Sequence, residues 1–415
     1  MEISIRPEVL EASLKTVSGF VYKPGTAGVA PTMSAVLICA PEKGEHITFV
    51  GNNASQRIKF DVRVESIAAA GRVLVSVADF QTAVSTISDK DAPVRVVLGE
   101  SGLEIHGKRE SVNIPVHDVD AARSVPREPV EVEGSTFSVK VEAAALPHMT
   151  NRTALVVQES RLPNLAMWLD GDELCLCGFS ATGMVFTSAK GATTSGDVGM
   201  LIWEPQCLRR VVDLMSDEDT VTFAQDDDES TVLVTITGER GTFVVQQSLE
   251  EGADAYEKAL KGVRAKARDV MGNGTVVRTK VSNSDVVRAI ESAQRVRAIG
   301  GRLDKSTSRT TFLTVTDDVA IVALPDESFS AEIDAERLEG TTDLHVAVDP
   351  LTTQSILGPL GSMNITFHMP KPDEEERKTS FYLITCDASF EVKDDVPFGY
   401  WALAPFRSQR TGGAG

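Results

Sequence analysis

No apolar run in this 415-residue sequence approaches the ~18–20 residues that a helix needs to cross a bilayer. The opening MEISIRPEVL carries a charge every few residues and no apolar stretch, so no secretory signal is read there. Cysteine is sparse and odd in number. Cys39, Cys175, Cys177, Cys207 and Cys386 are scattered, mostly through apolar, strand-like runs, which suits buried free thiols in a reducing cytoplasm. In that compartment the Asn-x-Ser/Thr matches at Asn53, Asn151, Asn273 and Asn364 are chance. The signatures of catalysis are missing: no Gly-x-Gly-x-x-Gly, no Gly-Lys-Ser/Thr phosphate loop, no His-Glu-x-x-His and no Gly-x-Ser-x-Gly. The six histidines lie far apart, and Cys175-x-Cys177 has no second pair to complete a zinc site. No enzymatic activity, no metal and no cofactor are therefore expected. A positive charge excess is missing too, since 41 Lys and Arg face 60 Asp and Glu for a net −19. That balance argues against indiscriminate nucleic-acid binding and leaves room for a local basic surface.

What is present is one order of elements met three times. A short strand and an amphipathic helix are followed by three or four strands, a second helix and more strands. A period well over one hundred residues exceeds the roughly 20–50 of solenoids and propellers. Three sequential copies of a whole domain suggest an arc or half-ring. The copies are read at 1–124, 135–252 and 273–407, with a Pro/Val/Glu linker at 125–134, a basic linker (helical or irregular) from 253, and a flexible tail at 408–415. In the first copy Pro7 stands at a helix's first position, followed by the stripe Leu10, Leu14 and Val17. Its second helix, 78–89, places Phe80, Ala83, Val84 and Ile87 on one face. The second copy has a weaker helix at 143–155, interrupted by Pro147, and one at 205–216 with Leu208, Val211, Val212 and Met215 inward. The third has a helix carrying Val286, Val287, Ile290 and Ala293, then one from about 350 with Leu351, Ile356 and Leu357, ended by Gly358-Pro359. The expected class is α+β: three tandem domains, each with two helices packed on antiparallel sheets.

Four landmarks carry a resemblance: Val17-Ser18-Gly19 before the basic loop Tyr22-Lys23-Pro24, Ile47-Thr48-Phe49-Val50-Gly51-Asn52-Asn53, Val75-x-Val77 leading into Asp79-Phe80, and Ala404-Pro405-Phe406-Arg407. With the order of elements, over about 1–407, they resemble the bacterial DNA polymerase III beta subunit, the sliding-clamp family. Asn52-Asn53 stands where that family has Thr-Asp, and Ala-Pro-Phe-Arg where it closes on Met-Pro-Met-Arg. The resemblance implies a processivity factor. A homodimer of three-domain subunits, each half of a ring, would encircle double-stranded DNA with helices inside and strands outside. It would act in the cytoplasm, placed on DNA by a clamp loader, and would tether a DNA polymerase. The other reading is an interaction or decoy protein that keeps the fold without encircling DNA.

The residues bear on this directly. Arg288 and Arg295 lie seven apart and share a helix face roughly opposite Val286, Ile290 and Ala293, either a solvated face or one turned to DNA. Arg297 and Arg302 add charge nearby. Lys15, Lys23, Arg152, Arg209 and Arg210 complete the candidate DNA-binding set. The resemblance also implies a partner-binding pocket between copies two and three. Its matching positions are Leu162, Phe179, Ala181, Thr182, Gly183, Met184, Ala259, Leu403, Pro405, Phe406 and Arg407. The family's Thr-Asp-Gly-His-Arg-Leu run becomes Phe179-Ser180-Ala181-Thr182-Gly183-Met184, without His or Arg, and its Phe-Pro-Asp-Tyr becomes Ala253-Asp254-Ala255-Tyr256. A dimer edge is expected at Val112 and Ile114, meeting the first-helix side of copy three. The acidic runs Asp226–Glu229 and Asp373–Glu376 read as solvated hairpin tips.

Overall fold

The computed structural model describes residues 1–122, 124–130, 137–142, 145–157, 162–180, 183–195, 199–216, 218–226, 230–272, 275–298, 311–316, 318–340, 344–370, 380–386, 391–393, 396–398 and 400–408. Among them are seven α-helices and antiparallel sheets, an α+β chain. The helices are α1 (Pro7–Ser18), α2 (Val77–Ser85), α3 (Ala145–Thr153), α4 (Pro205–Val212), α5 (Ala253–Gly272), α6 (Asn283–Ala298) and α7 (Pro350–Leu357).

Their ends follow local chemistry. Pro7 opens α1 behind an extended Arg6, where its missing N–H costs nothing, and Leu10, Leu14 and Val17 are buried as the stripe requires. The Ser76 hydroxyl accepts from the Asp79 amide at 3.3 Å and starts α2; Asp349 caps α7 through the Thr352 amide at 3.1 Å. Pro147 falls in the first turn of α3, where a helix tolerates it, so it interrupts nothing. Two helices stop sooner than expected. α2 ends at Ser85, and Ile87 is buried two residues beyond it, its amide bonded to the Val84 carbonyl at 3.2 Å. α4 ends at Val212, so Leu214 rather than Met215 goes inside. On α7, Leu351 is 47% exposed; Thr353 takes the inward place with Ile356 and Leu357.

The chain divides into two compact units, Met1–Pro147 with Ala192–Gly199 and Gln206–Leu249, and His148–Gly191 with Met200–Pro205 and Glu250–Gly415. The first unit holds a five-stranded sheet that ends on the edge strand Ser111–Ile114, and a ten-stranded sheet. In the ten-stranded sheet Gln56–Arg63 pairs with Gly241–Ser248, with Ile58 opposite Val245 and Phe60 opposite Phe243. The second unit holds a twelve-stranded sheet. There Met184–Lys190 pairs with Trp401–Ser408, Met184 facing Leu403 and Phe186 facing Trp401. Trp401–Ser408 also pairs with Leu344–Val348 and Ser380–Cys386, closing the sheet on itself.

Strand alternation sorts the second unit into two apolar layers. Val185, Tyr382, Ile384, Ala402 and Ala404 belong to a core with α6 and α7. Met184, Phe186, Leu383, Trp401 and Leu403 belong to another, with α5. Helices α5 and α6 therefore lie on opposite faces of the strand Ser380–Cys386.

Candidate partner groove and nucleic-acid face

The seven candidate DNA-binding cations take different places. Lys15, in the last turn of α1, and Lys23, in the loop after it, are exposed. Arg288 and Arg295 are exposed on α6 with side chains 75% and 79% accessible, each paired within its helix, to Asp285 at 3.3 Å and Glu291 at 3.6 Å. Such pairs bind weakly in water and leave most of the cation's field available. The other three are half-buried. Arg152 lies over the Tyr400 ring at 5.8 Å and reaches the Met363 sulfur at 3.8 Å. Arg210 donates to Gln56 Oε1 at 3.0 Å, while Gln56 Nε2 donates to the Cys207 carbonyl at 3.1 Å. Arg209 lies beside it on α4. The α6 pair share the face that the spacing implies. Beside it a surface cavity of about 380 Å³ is lined by Asp285, Arg288, Ser292, Phe329, Glu332 and Asp334. Arg302 lies outside the described residues.

Part of the groove set comes together beneath α5. Phe179, Met184 and Leu403 are 5%, 0% and 1% exposed in one apolar cluster, with Leu162 and Ala259 packed against it. Pro405, Phe406 and Arg407 stand on the same terminal strand, Phe406 opposite Ser380 and Val348. Ala181 and Thr182 lie outside the described residues. Gly183 is needed by close approach: a Cβ there would meet the Leu403 carbonyl oxygen at 2.6 Å.

Helix α5 closes this layer with residues outside the matching pocket positions. Tyr256, Leu260, Ala267 and Val270 are buried, and Val263 is packed beside them. The Tyr256 ring meets Phe179 edge-on at 5.9 Å, and its hydroxyl accepts from the Asn164 amide at 3.0 Å. The Arg264 guanidinium lies over Trp168 at 5.5 Å and Phe186 at 5.8 Å and donates to Asp170 at 3.4 Å. Lys266 lies over Phe381 at 4.1 Å. The signal was in the sequence. Positions 256, 260, 263, 267 and 270 follow a 4-3-4-3 spacing, a seven-residue apolar repeat that the density of cations in the linker concealed.

Burial pushes the Cys175 thiol up, and Cys177 to about 12, which keeps both protonated and unreactive at neutral pH. Among the described residues no group of three or more His, Cys, Asp or Glu could hold a metal ion, and no helix is long and apolar enough to cross a membrane. Ser111–Ile114, the candidate dimer edge, closes one side of its sheet, with Ile114 buried at 7% and Val112 half-buried.

No protein-family model matches the sequence, and no curated protein matches it significantly. Solved structures do match over almost the whole chain. The DNA polymerase III beta subunit of Thermotoga maritima aligns with a TM-score of 0.73 at 14% identity, covering 99% of this chain and all of that one. The chain has the sliding-clamp fold. The beta subunit of Streptococcus pyogenes gives 0.74 at 17% identity over 98% of this chain and all of its own. The Helicobacter pylori beta clamp, solved with a DNA ligase peptide bound, gives 0.72 at 16% over 99% and all of its own. At these identities the likeness is one of three-domain clamp architecture.

Proposed function

We propose that this chain is a DNA sliding clamp without catalytic chemistry of its own. It has three domains, 1–124, 135–252 and 273–407, and two copies close head to tail around duplex DNA. The ring acts in the cytoplasm, takes a clamp loader as its loading partner, and holds a replicative polymerase on its template.

One observation carries this reading. Inside the chain, the last strand of a copy twice pairs with the fourth strand of the copy before it, at Gln56–Arg63 with Gly241–Ser248 and at Met184–Lys190 with Trp401–Ser408. Among the described residues two counterparts keep open edges: Ser111–Ile114, and the first half of Ser330–Glu339, which pairs on one side only with Val319–Ala323. The hairpins supply the register. Asn52 opposite Arg57 corresponds to Ala323 opposite Ser330, and Thr237 opposite Thr242 to His106 opposite Ser111. Carried across, the first join sets Ile114 of one copy against Ala331 of the next, and Val112 against Ile333. Apolar side chains then meet apolar side chains, and the basic Lys108-Arg109 tip falls near Asp334 and Glu336. Arg288 and Arg295 would present their charge to the enclosed duplex.

The test is retention on DNA. The protein should elute as a dimer, appear as a closed ring in negative stain, stay on nicked circular DNA and leave when the circle is cut. Charge reversal by Arg288→Glu with Arg295→Glu should abolish retention and leave the dimer intact. Monomers at every concentration would overturn the ring. The second reading, a clamp-fold interaction protein that does not encircle DNA, is favoured by the inward engagement of Arg152 and Arg210. It predicts a dimer indifferent to the Arg288/Arg295 reversal.

A further inference from the structure

The apolar layer under α5 has the features of a helix-binding groove already holding a helix. Its floor is formed by Phe179, Met184, Phe186, Leu383, Trp401 and Leu403. The seated helix places Tyr256 against Phe179, Leu260 one turn on in the same cluster, and Arg264 a further turn on, over Trp168 and bonded to Asp170. These three contacts fall at i, i+4 and i+8, one stripe of one helix. Away from the stripe Lys258, Lys261 and Arg268 face outward. Two glycines mark its backbone. Gly252, at φ +105° and with open space around its Cβ position, precedes its first residue, and Gly262 on the exposed face weakens its middle.

We propose that α5 is a cis ligand of this groove, and that partner proteins reach it as amphipathic helices carrying an aromatic residue, a leucine and an arginine at i, i+4 and i+8, in exchange with α5. The inference rests on reading this face as the clamp's partner site, and it deepens that reading by naming the ligand's chemistry and the segment that competes with it. An apolar helix lying in an apolar groove is a common recognition mode, and the residues that hold α5 specify what an exchanging helix must supply. Asp170 favours the arginine through an ion pair at 3.4 Å whose carboxylate is 37% exposed, a modest preference.

The probe is a fluorescent peptide copying residues 253–271, measured by anisotropy against the full chain and against a full-length variant in which 253–271 is replaced by a Gly/Ser linker of equal length. The variant should bind the peptide at least tenfold more tightly than the unaltered chain. A peptide with Tyr256→Ala and Leu260→Ala should lose that binding, and one with Arg264→Ala should weaken it several-fold. Equal binding to both proteins, or none to a folded linker variant, overturns the proposal. If the linker variant fails to fold, the full chain with Tyr256→Ala and Leu260→Ala in its own α5 replaces it; failure of the unaltered peptide to bind that chain overturns the proposal equally. DNA retention is read separately. Peptide exchange without retention would remove the encircling function and keep the groove, and retention without exchange would do the reverse.

Discussion

At the join of Gln56–Arg63 with Gly241–Ser248, polar side chains do much of the meeting. Arg57 donates to Gln246 at 3.2 Å, Gln56 bridges Arg210 and the Cys207 carbonyl, and Phe60 and Phe243, 5.3 Å apart, add an aromatic contact. An extended segment crosses the sheet here. Val119, Ala122 and Val125 pack over Leu37, Val50 and Leu74, Glu128 pairs with Lys59 at 2.6 Å, and the Val130 amide donates to Gln246 at 3.1 Å. At the join of Met184–Lys190 with Trp401–Ser408 the same antiparallel pairing brings Phe186 and Trp401 into a stack at 5.2 Å, and a twenty-residue helix covers it. One backbone operation is thus finished with two chemistries. Exposed ion pairs and amide bonds specify position at small net gain, whereas buried aromatic area supplies stability and depends on its cover.

The comparison breaks most visibly at Trp401. Trp401→Ala removes a fully buried ring and should destabilise the second unit by about 3–5 kcal/mol in urea unfolding. Gly183→Ala pushes a Cβ into the Leu403 carbonyl and should cost about 1–3 kcal/mol, with loosened exchange protection across that join only. Gln56→Ala removes the bonds from the Arg210 guanidinium and to the Cys207 carbonyl, and about 1–3 kcal/mol should be lost from the polar join, read by the same unfolding curves. Lys59→Ala removes a pair whose members are 38% and 51% exposed, so the change should be about 0.2–1 kcal/mol and should fade in high salt. A Lys59 effect as large as that of Trp401 would erase the distinction between the joins.

The helical faces were legible because burial enforces period: Leu10, Leu14 and Val17, or Val286, Ile290 and Ala293, have no other way to go inside. Helix ends were less so, since Ser76 and the turn at Thr86 decide α2 through single hydrogen bonds that periodicity does not encode. That Phe179, Met184 and Leu403 lie together was legible from a resemblance, and one apolar cluster holds them. Their cover was not. Lys258, Lys261, Arg264, Lys266 and Arg268 made residues 253–272 read as a basic linker, while the stripe from Tyr256 to Val270 was already present. Two of those cations, Arg264 and Lys266, in fact turn onto aromatic rings, a use of charge that composition cannot reveal.

The strand Trp401–Ser408 has a consequence for how the chain is made. The first unit has all its strands once Leu249 exists, so it can fold while synthesis continues. The second unit waits. Three strands, Met184–Lys190, Leu344–Val348 and Ser380–Cys386, hold edges that only residues 401–408 can pair. Until that moment half of the nascent protein presents open β-edges to its neighbours on the polysome, the period in which misassembly with another copy is easiest.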